Sequence, residues 1–164
     1  MKNIKLLWIF SILFLIYQGY SSYSFLPEHM ATHFDLSGKP NGWSSKESFF
    51  IIWYITIFFL NGLFYAISKF INKMPASMIN IPNKRYWFET EERKKESIQK
   101  VIVLLPAMSF LINIFLSFIY ESILRNNTGI GFDFTVWGIF IFVAVMMIFI
   151  FGYIFLSFRK PKIQ

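Results

Sequence analysis

The side chains best suited to chemistry stand together between Leu26 and Lys46 (LPEHMATHFDLSGKPNGWSSK), where His29 and His33 are flanked by Glu28 and Asp35. Imidazoles four residues apart on a helix face one way and can share a zinc ion. On an extended strand the same pair lies about 13 Å apart. Pro27 and the turn residues downstream favour the extended form. The chain has only 2 histidines, so any site would need carboxylates. No metal is assigned; the histidines are read as hydrogen-bonded within the loop, with His33, between Thr32 and Phe34, as the buried one. The lack of cysteine excludes disulfides, thiolate metal sites and cysteine nucleophiles. Ser-His-Asp spacing, a glycine-rich phosphate loop and H-E-x-x-H are all missing, so no catalytic residue and no cofactor is assigned.

A second polar group lies within apolar sequence. Ser109, Asn113, Ser117 and Glu121 recur every four residues, a stripe on one helix face. Asn61, Gly62, Tyr65 and Ser68 form a matching set upstream. Facing each other, they are hydrogen-bond glue between helices, with Gly62 letting the backbones approach. The rival reading is the lining of a transport pathway. Carriers and pumps driven by ions place charges at mid-membrane, and none occurs here, so glue is favoured.

The elements that must hold these groups are spans of a membrane. Of 164 residues 55% are hydrophobic, 22 are Phe and only 15% are charged, too apolar a balance for a soluble domain of this size. Four helical spans are expected, at 4–20, 49–71, 101–120 and 136–158, giving an all-α membrane fold in one domain covering 1–164. The first span has a rival reading as a cleaved signal peptide, with Ser22-Tyr23-Ser24 as the cleavage site. Ser44 and Glu47 are placed to form a capping box at the start of the second span. Pro106 marks a kink near the start of the third.

The net charge of +7 reads as topology. Lys2 and Lys5, then Lys69, Lys73, Lys84, Arg85, Arg93, Lys94, Lys95 and Lys100, then Arg159, Lys160 and Lys162 fall on one side of the expected spans. Only Lys39, Lys46 and Arg125 fall on the other. By the positive-inside rule both termini and the 72–100 connection are cytoplasmic, while the 21–48 and 121–135 loops are outside. Localisation is thus expected to be the cell membrane, multi-pass, with the lipid bilayer as partner. No basic face clear of the membrane is left for nucleic acid.

Within 72–100, Tyr86-Trp87-Phe88 reads as an interfacial aromatic anchor. Thr90 should cap a helix that continues into the third span, carrying Glu89–Arg93 and Glu91–Lys95 pairs. At the other end, Glu121 is expected to meet Arg125. Asp35–Gly38 and Pro40-Asn41-Gly42 are turn signals. Leu26, Phe34, Leu36 and Trp43 are expected to seat the 21–48 loop on the bundle as an ordered cap.

Leu26-Pro27, Thr32-His33-Phe34, Gly38-Lys39-Pro40 and Lys46 together resemble the extracytoplasmic loop of the bacterial DUF1648 membrane protein family, a domain shared with SdpI-type immunity proteins. Ile81-Pro82-Asn83 with Tyr86-Trp87 is similar to a cytoplasmic motif of its shorter, single-unit members. Met30-Ala31 and Asn41 depart from the family pattern. The resemblance favours a retained first helix. It also implies an immunity- or resistance-like role, in which a loop shaped by His33, Phe34, Gly38, Pro40 and Trp43 contacts a peptide toxin or envelope ligand. On that reading the Lys84–Lys95 segment passes a signal inward. The other function classes weighed are a small carrier using the Asn61 and Asn113 faces, and an accessory or assembly subunit with a membrane-protein partner.

Overall fold

The computed structural model describes residues 2–130 and 136–160. Four of its helices are long and apolar enough to cross a membrane: α1 (Lys2–Ser22), α2 (Lys46–Phe70), α4 (Glu91–Thr128) and α5 (Val136–Phe158). A short helix, α3 (Lys84–Trp87), lies between α2 and α4. An antiparallel hairpin of β1 (His29–Phe34) and β2 (Pro40–Ser45) joins α1 to α2. This is a multi-pass membrane protein. Residues 131–135 of the expected 121–135 loop, and Lys162, lie outside the described residues.

Helices α1, α2 and α4 pack together beneath the hairpin. Leu15, Met30, Phe49, Phe50, Trp53, Ile57 and Tyr120 are buried there in one cluster. The glycine that brings helices close is Gly19 of α1, where a Cβ would fall 2.8 Å from the Tyr54 hydroxyl of α2. Gly62, expected in that role, has nothing within 4 Å of its would-be Cβ and faces an open groove. Most of α5 is bare on its outer side, with Phe151, Phe155 and Leu156 exposed, as a lipid-facing helix should be.

Helix boundaries follow local chemistry. Ser45, one residue later than expected, caps α2 by accepting from the Ser48 N–H at 3.2 Å. Thr90 caps α4 as expected, accepting from the Arg93 N–H. From that cap α4 runs 38 residues with Pro106 inside it, joining the polar segment to the third span. Gly129, at φ +74°, ends it, a left-handed conformation that suits glycine. Glu89 pairs with Arg93, but Glu91 pairs with Lys94 rather than Lys95.

At the end remote from the hairpin, Ile71, Ile79, Ile81, Trp87, Ile98 and Phe158 make a second cluster. Trp87 is therefore a core residue and not an interfacial anchor. Its indole N–H donates to the Phe158 carbonyl at 3.0 Å, and Asn83 Nδ2 donates to the same oxygen at 2.9 Å. Lys100 Nζ donates to the Ser157 carbonyl. The last carbonyls of α5, which have no helical partner of their own, are thus capped from α3 and α4. Asn83 reaches Phe158 from a left-handed backbone (φ 53°), which asparagine tolerates better than most residues. Tyr86 is half-buried under the Arg93 guanidinium, 4.2 Å from its ring centre, and Pro82 is exposed.

Candidate functional site

The hairpin is fixed on the bundle from below. Met30 is fully buried and Ala31 nearly so; they are the pair that departs from the resembled motif. Asn127 of α4 holds the Ala31 backbone in both directions. Its Oδ1 accepts from the Ala31 N–H at 2.9 Å, and its Nδ2 donates to the Ala31 carbonyl at 2.8 Å. Lys46 Nζ donates to Glu28 Oε1 at 2.6 Å and to the Leu26 carbonyl at 3.3 Å, above the Tyr23 ring. That ion pair joins the start of β1 to the start of α2, and Leu26 is buried beside it. The hydrogen bond from the Lys46 ammonium, and then its charge, hold the Glu28 carboxyl below the usual range.

The reversal between the strands is built on Asp35. Its Oδ1 accepts from the Ser37 N–H (2.8 Å), the Ser37 hydroxyl (2.7 Å) and the Lys39 N–H (2.9 Å). These bonds, the Ser37 hydroxyl first, lower its pKa, because each favours the charged carboxylate. Gly38, at φ +79°, completes the turn. Asn41 and Gly42, expected in a turn, instead lie within β2. Gly42 faces His33, and a Cβ there would come 3.0 Å from the His33 Cβ.

Met30 and Ala31 pair in regular register with Ser44 and Trp43 and are both buried; the register irregularities follow, on either side of His33. His33 is exposed, not buried, and its Nδ1 lies 3.3 Å from the Thr32 hydroxyl. Phe34 is half-buried, while Leu36 and Trp43 are exposed and do not seat the loop. Pro27 and Pro40 are exposed as well. His29 and His33 sit four residues apart on the strand, so they do not converge. Among the described residues no group of three metal-ligating side chains forms.

Between the hairpin and the ends of α4 and α5 lies a cleft of about 670 Å³, within the range of ligand pockets. Of the expected loop residues it brings together His33, Phe34 and Gly38. Asn126 and Ile123 of α4 and Trp137 of α5 face them. It has an apolar wall and a polar rim. The place of Asn126, Ile123 and Trp137 in the cleft is not legible in the sequence, because local spacing does not say which residues of α4 and α5 face the hairpin.

Deeper, the expected Asn61–Asn113 glue is present and larger than foreseen. Asn61 Oδ1 accepts from the Trp8 indole N–H (2.6 Å), the Ser109 hydroxyl (2.9 Å) and Asn113 Nδ2 (3.0 Å). Asn61 Nδ2 donates to Asn113 Oδ1 and to the Ile57 carbonyl. Asn113 Nδ2 also donates to Ser11, which in turn donates to the Trp8 carbonyl. Nearer the hairpin, the Ser117 carbonyl and Glu121 accept from Gln18, at 3.4 and 2.6 Å. Glu121 thus meets α1 and not Arg125, which bonds the Gly129 carbonyl. Ser22 bonds the Tyr120 hydroxyl. Trp8, Ser11, Gln18 and Ser22 were missed, although with Leu15 they trace one face of α1 at helical spacing.

Residues 8–57 match a family model described as Domain of unknown function (DUF1648). The match takes in most of α1, the whole hairpin and the first half of α2, and stops short of the 81–87 motif. No curated protein matches the chain, and no solved structure does.

Proposed function

From a chain whose residues 8–57 belong to the DUF1648 family, we propose a non-enzymatic binding protein of the bacterial cell membrane with an immunity- or resistance-like role. The hairpin stands outside the cell, both termini are cytoplasmic, and the cleft at the hairpin receives a peptide or envelope ligand. The observation that carries this reading is the contrast between held and free side chains of the hairpin. Met30, Ala31 and the Lys46–Glu28 pair fix it to the bundle, while His33 and Trp43 stand exposed on a frame that cannot shift freely. Preorganised exposed aromatic and polar groups beside an apolar cleft are what a binding surface needs. The SdpI-type resemblance of the loop adds a peptide toxin as the ligand class. The 84–95 segment, tied to α5 through Trp87, relays occupancy inward.

The test is deletion of the gene in its own host, followed by challenge with a panel of membrane-active peptides. Sensitivity to at least one should rise, and the intact gene should restore resistance. A gene carrying His33→Ala and Trp43→Ala should express normally and fail to restore it. Unchanged sensitivity across the panel would sink the proposal. The carrier reading receives less support, because the polar atoms of Asn61 and Asn113 are bonded to one another.

A further inference from the structure

At the end remote from the hairpin, a groove of about 610 Å³ opens between α1, α2 and α4. Its walls are Ile9 and Ile12 of α1 and Ile102 and Pro106 of α4; Trp8 and Asn61 form its floor. From Lys69 to the level of Asn61 is eight helical residues, and from there to Ile12 roughly four more, so the groove is about 18 Å long at 1.5 Å per residue. That is the scale of one lipid tail. Gly62 keeps it open, since nothing lies within 4 Å of the Cβ position.

The charges sit at one end only. Lys5 and Lys69 line the mouth. Among the described residues neither has an acidic partner, whereas Lys46, Arg93, Lys94 and Lys100 each do. No carboxylate lines the groove. Trp8 and Asn61 at its floor are already hydrogen-bonded to each other, so the deep part asks for an apolar occupant and the mouth for an anionic one. Lys5 and Lys69 occur near the free ends of two spanning helices, at the level where headgroups lie.

We infer that this groove is a binding site for one anionic phospholipid of the surrounding bilayer, with a tail along Ile9, Ile12 and Ile102 and the phosphate between Lys5 and Lys69. A basic pocket between spanning helices suits a charged headgroup, and the apolar walls add the burial of a chain. The alternative occupants, a zwitterionic lipid or a free fatty acid, lack either the net charge or the phosphate.

The experiment uses the full chain in mild detergent and counts retained lipid by native mass spectrometry, with phosphatidylglycerol, phosphatidylcholine and palmitate offered separately. One phosphatidylglycerol should survive activation that removes phosphatidylcholine and palmitate. Lys5→Gln with Lys69→Gln should lower its retention at least fivefold, and Lys5→Arg with Lys69→Arg should keep it. Gly62→Phe should fill the groove and abolish retention, while Gly152→Phe on α5, where there is also open space, should not. Helical content by circular dichroism should match the parent for each variant. Equal retention of phosphatidylglycerol and phosphatidylcholine, preferential retention of palmitate, or retention unaffected by either the glutamine pair or Gly62→Phe, would overturn the assignment.

Discussion

Asn61, in the middle of the bundle, accepts three hydrogen bonds from its own chain, whereas His33 of the hairpin has one long contact with the neighbouring Thr32. Both are polar side chains on well-packed elements. The first has no water to fall back on, so its partners must come from α1 and α4. The second is exposed, and its position is decided by what lies beneath it. The network at Asn61 holds three helices together and leaves little polarity for a ligand. The hairpin is held by its underside and leaves His33 and Trp43 exposed. A site should therefore be sought where polarity is left over.

The comparison breaks most sharply at Met30. Met30→Ala empties a fully buried position in the cluster with Leu26, Phe49 and Tyr120, which costs about 3 kcal/mol. It should unseat the hairpin before the bundle. Hydrogen exchange of residues 29–45 should rise well above that of α2 and α4, and uniform loosening of all three would contradict a hairpin anchored by that side chain.

Asn61→Leu probes the other half. It leaves the Trp8 indole, the Ser109 hydroxyl and Asn113 without their shared acceptor. Interhelical hydrogen bonds in membranes contribute about 0.6 kcal/mol each on average, so a loss of about 2 kcal/mol is expected in denaturant unfolding from detergent. Any resistance or ligand binding should survive at temperatures where the variant stays folded. Loss of binding with stability intact would move the site into the bundle and revive the carrier reading.

How far these features could be read in advance depended on whether one dimension was enough. The spans follow from the lengths of apolar runs, and the Thr90 cap follows from a local pattern. Asn61 and Asn113 were visible because a stripe repeating every four residues defines a face. Their α1 partners were harder: Trp8 reads as one more apolar residue and Ser11 as a small one. Only Ser11, Leu15, Gln18 and Ser22 taken together mark the buried side. The exposure of His33 escapes a local reading, because the register irregularities on either side of it break the alternation that would tie its face to that of its neighbours. Cleft partners from α4 and α5 depend on packing between distant segments, which no local spacing encodes.

The smallest effect expected is on acidification, and it separates the same two regions. Glu28 and Asp35 have pKa values lowered in the folded hairpin, Glu28 by Lys46 and Asp35 by its turn donors. A lowered folded pKa contributes stability that is present above the unfolded carboxylate value, about 4, and is lost as pH falls through the folded one. Between pH 7 and 5 hairpin protection should stay flat, and below about pH 4 it should decline. The Asn61 network contains no group that titrates there, so its part of α2 should keep its exchange protection through the same range, after correction for intrinsic rates. Asp35→Asn should remove part of the acid response, since an amide oxygen still accepts from Ser37 and Lys39 but no longer loses charge, and Glu28→Gln should remove the rest while weakening the tie to Lys46 at every pH. If both substitutions left the acid response of residues 29–45 unchanged, the hairpin would be held by its apolar underside and the Asn127 bonds to Ala31, and the Lys46–Glu28 pair would be a surface contact with no part in positioning the cleft.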